Sequence, residues 1–377
     1  MKLAFAVPRS GCAWWRCIQP AQMIKKLGLA EVQVFDQNTM GEVEIQDMLQ
    51  WSDVIIQQSP LGIETVASIA KFKDMGKAVV GDYDDLTFSL SPFNPAYKTL
   101  GLRDVTIKRT DTGKEELLWK DGVDGFALKP NYFRYRSLQD ILKSLSAVTT
   151  TCGFIKGKYG EFSDNIHILP NSIDFNLFKP LMKKDTGQIR IGWTASDSHH
   201  AEIWMVKRIM RKVMDKYGDK VKFVLLGNIE GICEGDISLD ESEIERHNFC
   251  GLDIYPLKAA ALNLDIGICP LNVEDPNSLD FNRAKSQLKW SEYASLKIPA
   301  VCSKIEPYDC VEDGKTGLLA SNDDEFVDKI GELVESEYMR DRIATAAFEK
   351  NYEDYNLEKN VVLWMEVYEQ ALETMNA

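Results

Sequence analysis

The sequence predicts an α/β protein made of two doubly wound halves that face each other across a cleft. Three observations carry this. Short apolar runs alternate with helix-like segments from Lys2 to Leu169. A stretch with two prolines and no strand periodicity, PNSIDFNLFKPLMKKDTGQ (170–188), interrupts the pattern. After it the alternation begins again at Gln188. Apolar runs of strand length separated by helices are the pattern of a parallel sheet covered on both faces. The 377 residues suffice for two such units, since domains run to roughly 100–200 residues.

In order, KLAFAV (2–7) is a buried strand, and helical periodicity runs from about Trp14 to Leu27. VQVF (32–35) and DVIIQ (53–57) are strands, and LGIETVASIAKFKDMG (61–76) is a helix closed by glycine. KAVVGDYDD (77–85) is a strand ending in acids. SLQDILKSLS is a helix, and SAVTTT (146–151) and NIHIL (165–169) are strands. One segment breaks the rhythm. Within 101–127, RDVTIKRT and KEELLWK flank an Asp-Thr-Gly turn, a β-hairpin signal inserted on a loop. Such insertions often carry substrate or partner specificity, and a hairpin without that role reads the same way.

After the linker, QIRIGW (188–193), KVKFVLLG (220–227), HNFCG (247–251), LDIGICPL (264–271), PAVCS (299–303) and GLLA (317–320) are expected strands. Helices are expected over about 198–216, 254–262 and 282–296, and in succession from about Asp323 to Met375. The expected limits are 1–175 and 186–355 for two Rossmann-like domains, with 356–377 a helix crossing back to the first. In open α/β sheets the ligand sits outside the carboxyl ends of the strands, so the cleft is the expected site.

Composition narrows the function. No run approaches the roughly 18–20 apolar residues that span a bilayer. The first apolar run is short and is followed by Pro8, Arg9, Trp14 and Trp15, unlike a signal peptide. The eight cysteines (12, 17, 152, 233, 250, 269, 302 and 310) form no CxxC pair and no zinc spacing, and most sit in apolar runs. A cytoplasmic protein with reduced thiols and no metal site is expected. Net charge is −14, but residues 1–180 carry 21 Lys+Arg and 21 Asp+Glu, so the excess lies entirely in the second half. Such an acidic protein is a poor generic binder of duplex nucleic acid, although its neutral half is not closed to an anionic partner.

Four segments could carry chemistry. The helix entered at Phe281, FNRAKSQLKWSEYASL, follows a strand and a loop. A helix N-terminus offers free N–H groups and a positive dipole to a phosphate. Lys285 and Ser286 are expected in its first turns, and Lys285, Lys289 and Glu292 on one face. Lysine beside a diphosphate and a carboxylate beside ribose hydroxyls suit a sugar nucleotide. The same spacing also fits a solvated helix with an ion pair. In RIGWTASDSHHAE a strand again ends in small polar residues, here Ser196, before a helix that opens at His199 and His200. A tandem His pair without a nearby Cys is a weak metal signal. In PRSGCAWWRCIQP, Gly11 stands between strand and helix and Arg16 follows, without a GxGxxG pattern. In GDYDDL, Asp82, Asp84 and Asp85 close a strand, where they could orient a hydroxyl, act as a base, hold a metal or cap a turn. YFRYR (132–136) interleaves aromatics and arginines, as in base or sugar stacking or in partial core packing.

Together these motifs resemble the glycosyl transferases group 1 family, retaining enzymes of the GT-B fold. The resemblance covers nearly the whole chain and is firmest from Ile191 to Ala320. KSQLKWSEYASLKIPAVCSKIEPYDCVEDGKTGLLA is similar to the family's donor-site signature, and Glu292 matches the second of its paired glutamates, the one implied to hold the ribose hydroxyls. Ala284 stands where the first glutamate is expected. HILPNSIDFNLFKP resembles the family's linker, with Ser172 for glycine. In the loop that usually carries an Arg/Lys pair, Trp193 and His199 occupy the approximate places.

The resemblance implies that the second half binds a nucleotide-diphospho-sugar, UDP- or GDP-linked, with no tightly bound cofactor. Gly11, Arg16, Ser196, His199, Lys285, Ser286, Lys289 and Glu292 are the implied donor contacts. Asp82, Asp84, Asp85 and Lys285 are the implied catalytic groups. The first half would bind a hydroxyl acceptor: a glycan, a lipid, a small molecule or a modified nucleobase. Two alternatives stand beside this reading, a nucleotide-sugar epimerase of the same fold and a non-catalytic sugar-nucleotide-binding protein. The residue at 284 favours the latter. Oligomeric state is left open.

Overall fold

The computed structural model describes residues 1–8, 10–108, 114–195, 199–227, 239 and 243–376. Two six-stranded sheets, parallel throughout, form the two halves. The first contains β1 (Lys2–Val7), β2 (Glu31–Asp36), β3 (Val54–Gln58), β4 (Ala78–Tyr83), β7 (Ala147–Thr150) and β8 (Ile166–Ile168), in the order β2-β1-β3-β4-β7-β8. Between β4 and β7, β5 (Val105–Lys108) and β6 (Glu115–Trp119) pair antiparallel as the expected hairpin. Its turn at 109–113 lies outside the described residues. The second sheet contains β9 (Ile189–Thr194), β10 (Val221–Leu226), β11 (Ile244–His247), β12 (Ile266–Cys269), β13 (Ala300–Ser303) and β14 (Leu318–Ala320), in the order β11-β10-β9-β12-β13-β14.

Strands covered on both faces need apolar side chains on both, which is why the runs are continuous rather than alternating. Along β1, Leu3, Phe5 and Val7 enter one layer while Ala4 and Ala6 enter the other. The last helix, Leu357–Asn376, covers the first sheet. Its residues 357, 361, 364, 365, 368 and 371 form one buried stripe at helical spacing. The halves also share core. Trp15 and Ile173 join a layer of the second half, and Ala284 joins a layer of the first. The hairpin carries a small core of its own, in which the rings of Tyr97, Trp119 and Phe126 lie 5.7–6.0 Å apart. Arg103, just before β5, reaches the second half and donates to Asn277 Oδ1 at 2.7 Å.

Two sequence expectations are corrected, one unexpected helix is added, and YFRYR takes one of the two settings open to it. The helix expected over 282–296 is two helices, Leu279–Arg283 and Leu288–Ser295. The first ends at Ala284, whose methyl is buried against the other half, and 285–287 are not helical. Lys285 and Ser286 therefore lie in the break, not on the face of Lys289 and Glu292. The strand expected at 247–251 is β11, which ends at His247. Helix Glu42–Trp51 was not anticipated; it buries only Met48 and Leu49 and leaves little periodic signal. YFRYR lies within helix Leu128–Ser144, where Tyr135 packs edge-on against Phe88 and Arg134 donates to the Thr99 carbonyl.

Candidate active site

In each sheet the strand order reverses once, between β1 and β3 and between β9 and β12. The carboxyl ends at these two points border one cavity of about 440 Å³.

On the first half's side, the chain leaves β1 and starts a helix at Gly11, with the Ser10 side chain accepting from Ala13 N–H at 3.2 Å. A Cβ at Gly11 would meet nothing within 4 Å, so packing does not demand this glycine; it keeps the helix start bare beside the cavity. A wider π turn, Trp14–Ile18, follows and buries Trp15, Arg16 and Cys17 in succession. Arg16 meets Asp82 in a two-pronged pair, Nε to Oδ1 at 3.1 Å and Nη2 to Oδ2 at 2.8 Å. Its Nη1 donates to the Leu169 carbonyl and to Asn171 Oδ1. Thr149 donates to Asp82 Oδ2 at 2.7 Å. Burial works against the charged Arg16, yet Asp82 more than offsets it and holds the guanidinium protonated. Both side chains are thus spent on each other. Arg16 borders the cavity with four of its five N–H donors in hydrogen bonds, and Asp82 lies behind it, off the cavity wall. Arg16 thus reaches the cavity wall expected of it, with its fork turned to Asp82, whereas Asp82, expected in the chemistry, stands off the wall.

Asp84 and Asp85, which directly follow β4, do line the cavity. Burial and then the charge of Asp85 raise the Asp84 carboxyl to about 6. The Cys12 Sγ and an oxygen of each acid lie within 4.8 Å of one another, a grouping that spacing did not reveal. The charge of Asp84, then burial, pushes the Cys12 thiol well up, so it is a thiol and not a thiolate at neutral pH.

The other side comes from β9, β12 and the helix Leu288–Ser295. Gly267 on β12 leaves room for the Tyr293 ring, which a Cβ there would strike. The Tyr293 hydroxyl accepts from Thr194 N–H at 3.0 Å and donates to the Gly192 carbonyl at 3.1 Å, fixing the end of β9. Lys289 Nζ then donates to Thr194 Oγ1 at 2.9 Å and to Glu292 Oε2 at 3.1 Å. Tyr255 donates to the same Oε2 at 2.9 Å. His199 lines the cavity 3.6 Å from Glu202, and burial lowers its pKa despite that partner, leaving it neutral at pH 7. Ser196 lies outside the described residues.

The break at 285–287 joins the two sides. Lys285 Nζ donates to Asp85 Oδ1 at 3.0 Å, and Asp85 outweighs burial to keep the lysine charged. Asn171 donates to Ser286 Oγ at 2.8 Å, and its carbonyl accepts from Gln287 at 2.7 Å. Of the residues expected in the site, Gly11, Arg16, Asp84, Asp85, His199, Lys285, Ser286, Lys289 and Glu292 border one space. Sequence reasoning missed Cys12, Trp15, Asn171, Thr194 and Tyr255, which also line it. Asn171 stood in the linker motif, and Tyr255 gave no signal beyond a place in a helix.

Residues 190–336 match the family model of glycosyl transferases group 1. Solved structures similar over the whole chain include HepE of Anabaena in complex with UDP and glucose (14% identity, 97% of this chain and 98% of that one, TM-score 0.59). A glycosyltransferase from Rickettsia africae is similar over 98% of each chain (12% identity, TM-score 0.62). Sucrose-phosphate synthase from Thermosynechococcus elongatus is similar over 99% of this chain and 100% of that one (9% identity, TM-score 0.64). No curated protein matches the chain. Fold and family model together define a glycosyltransferase of GT-B architecture. The match to the family model lies within its second half. No helix among the described residues is long and apolar enough to cross a membrane.

Proposed function

We propose that this enzyme moves a sugar from a UDP- or GDP-sugar to a hydroxyl acceptor with retention of anomeric configuration. The observation that carries the reading is the single cavity, with Lys285, Ser286, Lys289 and Glu292 on one side and Gly11, Asp84 and Asp85 on the other. The Anabaena protein similar in fold is known with UDP and glucose, and with UDP-glucose. In this reading residues 186–355 bind the donor, residues 1–175 with the hairpin bind the acceptor, and 356–377 close the first half. Lys285, Lys289, Ser286 and the start of helix Leu288–Ser295 receive the diphosphate. Glu292 receives the ribose hydroxyls, and Gly11 and His199 bound the sugar.

Chemistry then needs no protein nucleophile. The bond from the anomeric carbon to the phosphate oxygen breaks as the acceptor oxygen bonds to the same face. The departing phosphate oxygen takes the acceptor's proton. Lysine charge and helix N–H groups stabilise the negative charge that develops on the diphosphate. Asp84 and Asp85 orient the acceptor hydroxyl.

Thermal melting with UDP, GDP and their sugars tests the donor: one of them should raise Tm. If none does, the reading fails. NMR of the product should show the donor's anomeric configuration, and the opposite anomer would remove retention. His199 in the wall, backed by the buried Glu202, favours one second reading, an epimerase. That reading requires conversion of the donor to its isomer without acceptor.

A further inference from the structure

We propose that Tyr255 is a positioning residue for Glu292, setting which carboxylate oxygen the donor's ribose meets; this rests on the donor reading above. Glu292 is 4% exposed and Tyr255 7% exposed, yet both line the cavity. A buried carboxylate can turn its head unless partners choose the rotamer for it. Here the Tyr255 hydroxyl at 2.9 Å and Lys289 Nζ at 3.1 Å both converge on Oε2. Fixing one oxygen with two donors aims Oε1 at a ligand hydroxyl. Lysine alone would hold Oε2 loosely, because its ammonium is also bonded to Thr194 and sits on a flexible stem. The phenol is rigid. Burial and then the Glu292 charge push its pKa well above the usual value, so it remains a donor at every working pH.

Tyr255 is itself held from outside the donor half. Phe178, fully buried in the linker, meets the Tyr255 ring edge-on at 6.2 Å. Trp15, on the helix after β1, packs on Phe178 at 5.5 Å. Trp15 also lines the cavity. One buried aromatic row thus runs from the acceptor side, through the linker, to the tyrosine that aims Glu292. Ribose recognition depends in this way on the linker and the first half.

The test is calorimetric binding of UDP and GDP, each against its 2′,3′-dideoxy counterpart, to the whole chain and to Tyr255→Phe. The wild-type chain should prefer the ribose form of the tighter nucleotide by about tenfold or more. In Tyr255→Phe that preference should fall to about two- to threefold, while dideoxy binding stays within about twofold of wild type. Phe178→Leu, which keeps the hydroxyl and removes the ring contact, should give an intermediate preference. Equal weakening of both forms in Tyr255→Phe, or an unchanged preference, overturns the positioning role. A wild-type chain that binds neither UDP nor GDP overturns the donor reading instead.

Discussion

Asp84 sits past the end of β4 beside Asp85, and its carboxyl is raised to about 6 from 3.8. A raised carboxyl keeps its proton in the folded state after the unfolded chain has released its own. Between about pH 4 and 6 the folded protein therefore binds more protons, and this group subtracts stability as pH rises through that window. Above it the cost is constant. Asp84→Asn should raise Tm by about 2–4 °C at pH 7.5 and leave it nearly unchanged at pH 4, as read by thermal melting at both values. Equal shifts would show that the charge is not the cause. Asp82 is a different case, since its carboxylate is paired with the Arg16 guanidinium. Asp82→Asn should cost about 3–5 kcal/mol in urea unfolding, because it leaves the guanidinium buried beside a neutral amide. The sequence shows three acids in GDYDDL as equals. Only packing separates the structural one from the two in the cavity, because Arg16 comes from 66 residues away.

Elements were legible where their burial is simple. Eleven of the twelve strands in the two sheets coincide with an expected apolar run, and the twelfth, β11, meets its run only at His247; parallel strands buried on both faces make such runs unavoidable. Part of what failed depends on the other half of the molecule. The helix from Phe281 reads as unbroken because nothing local stops it; the break falls where Ala284 packs into the first half and Lys285 turns to Asp85. The pairing of Tyr255 with Glu292 is 37 residues apart in sequence and has no local signature either. One backbone position can be tested at this scale. Gly227 follows β10 at φ 140°, and a Cβ there would run into the backbone carbonyl of Ala195, at the end of β9. Neither atom can swing aside as a side-chain tip could. Gly227→Ala should destabilise by about 2 kcal/mol or more. Gly11→Ala, with open space around its Cβ, should change stability by less than about 1 kcal/mol. Urea midpoints for the two variants check the contrast.

At the scale of the molecule, the chain's end completes its beginning. Helix Leu357–Asn376 buries Leu357, Val361, Trp364, Met365, Val367, Tyr368 and Ala371 on the first sheet. Each large apolar side chain returned to water costs about 1.5–3 kcal/mol, so the stripe contributes on the order of 10 kcal/mol, an upper estimate because an unfolded chain is partly compact. Whole domains are stable by only about 5–15 kcal/mol. The first half should therefore not hold its fold without this helix, while the second sheet keeps both of its own core layers. A chain ending at Tyr355 should lose protection against limited proteolysis across residues 1–169 and keep it across 190–336. Nucleotide binding, if it belongs to the second half, should survive weakened, because Trp15 and Phe178 would no longer seat Tyr255 firmly. Uniform protection across both halves would show that the first sheet stands without its returning helix.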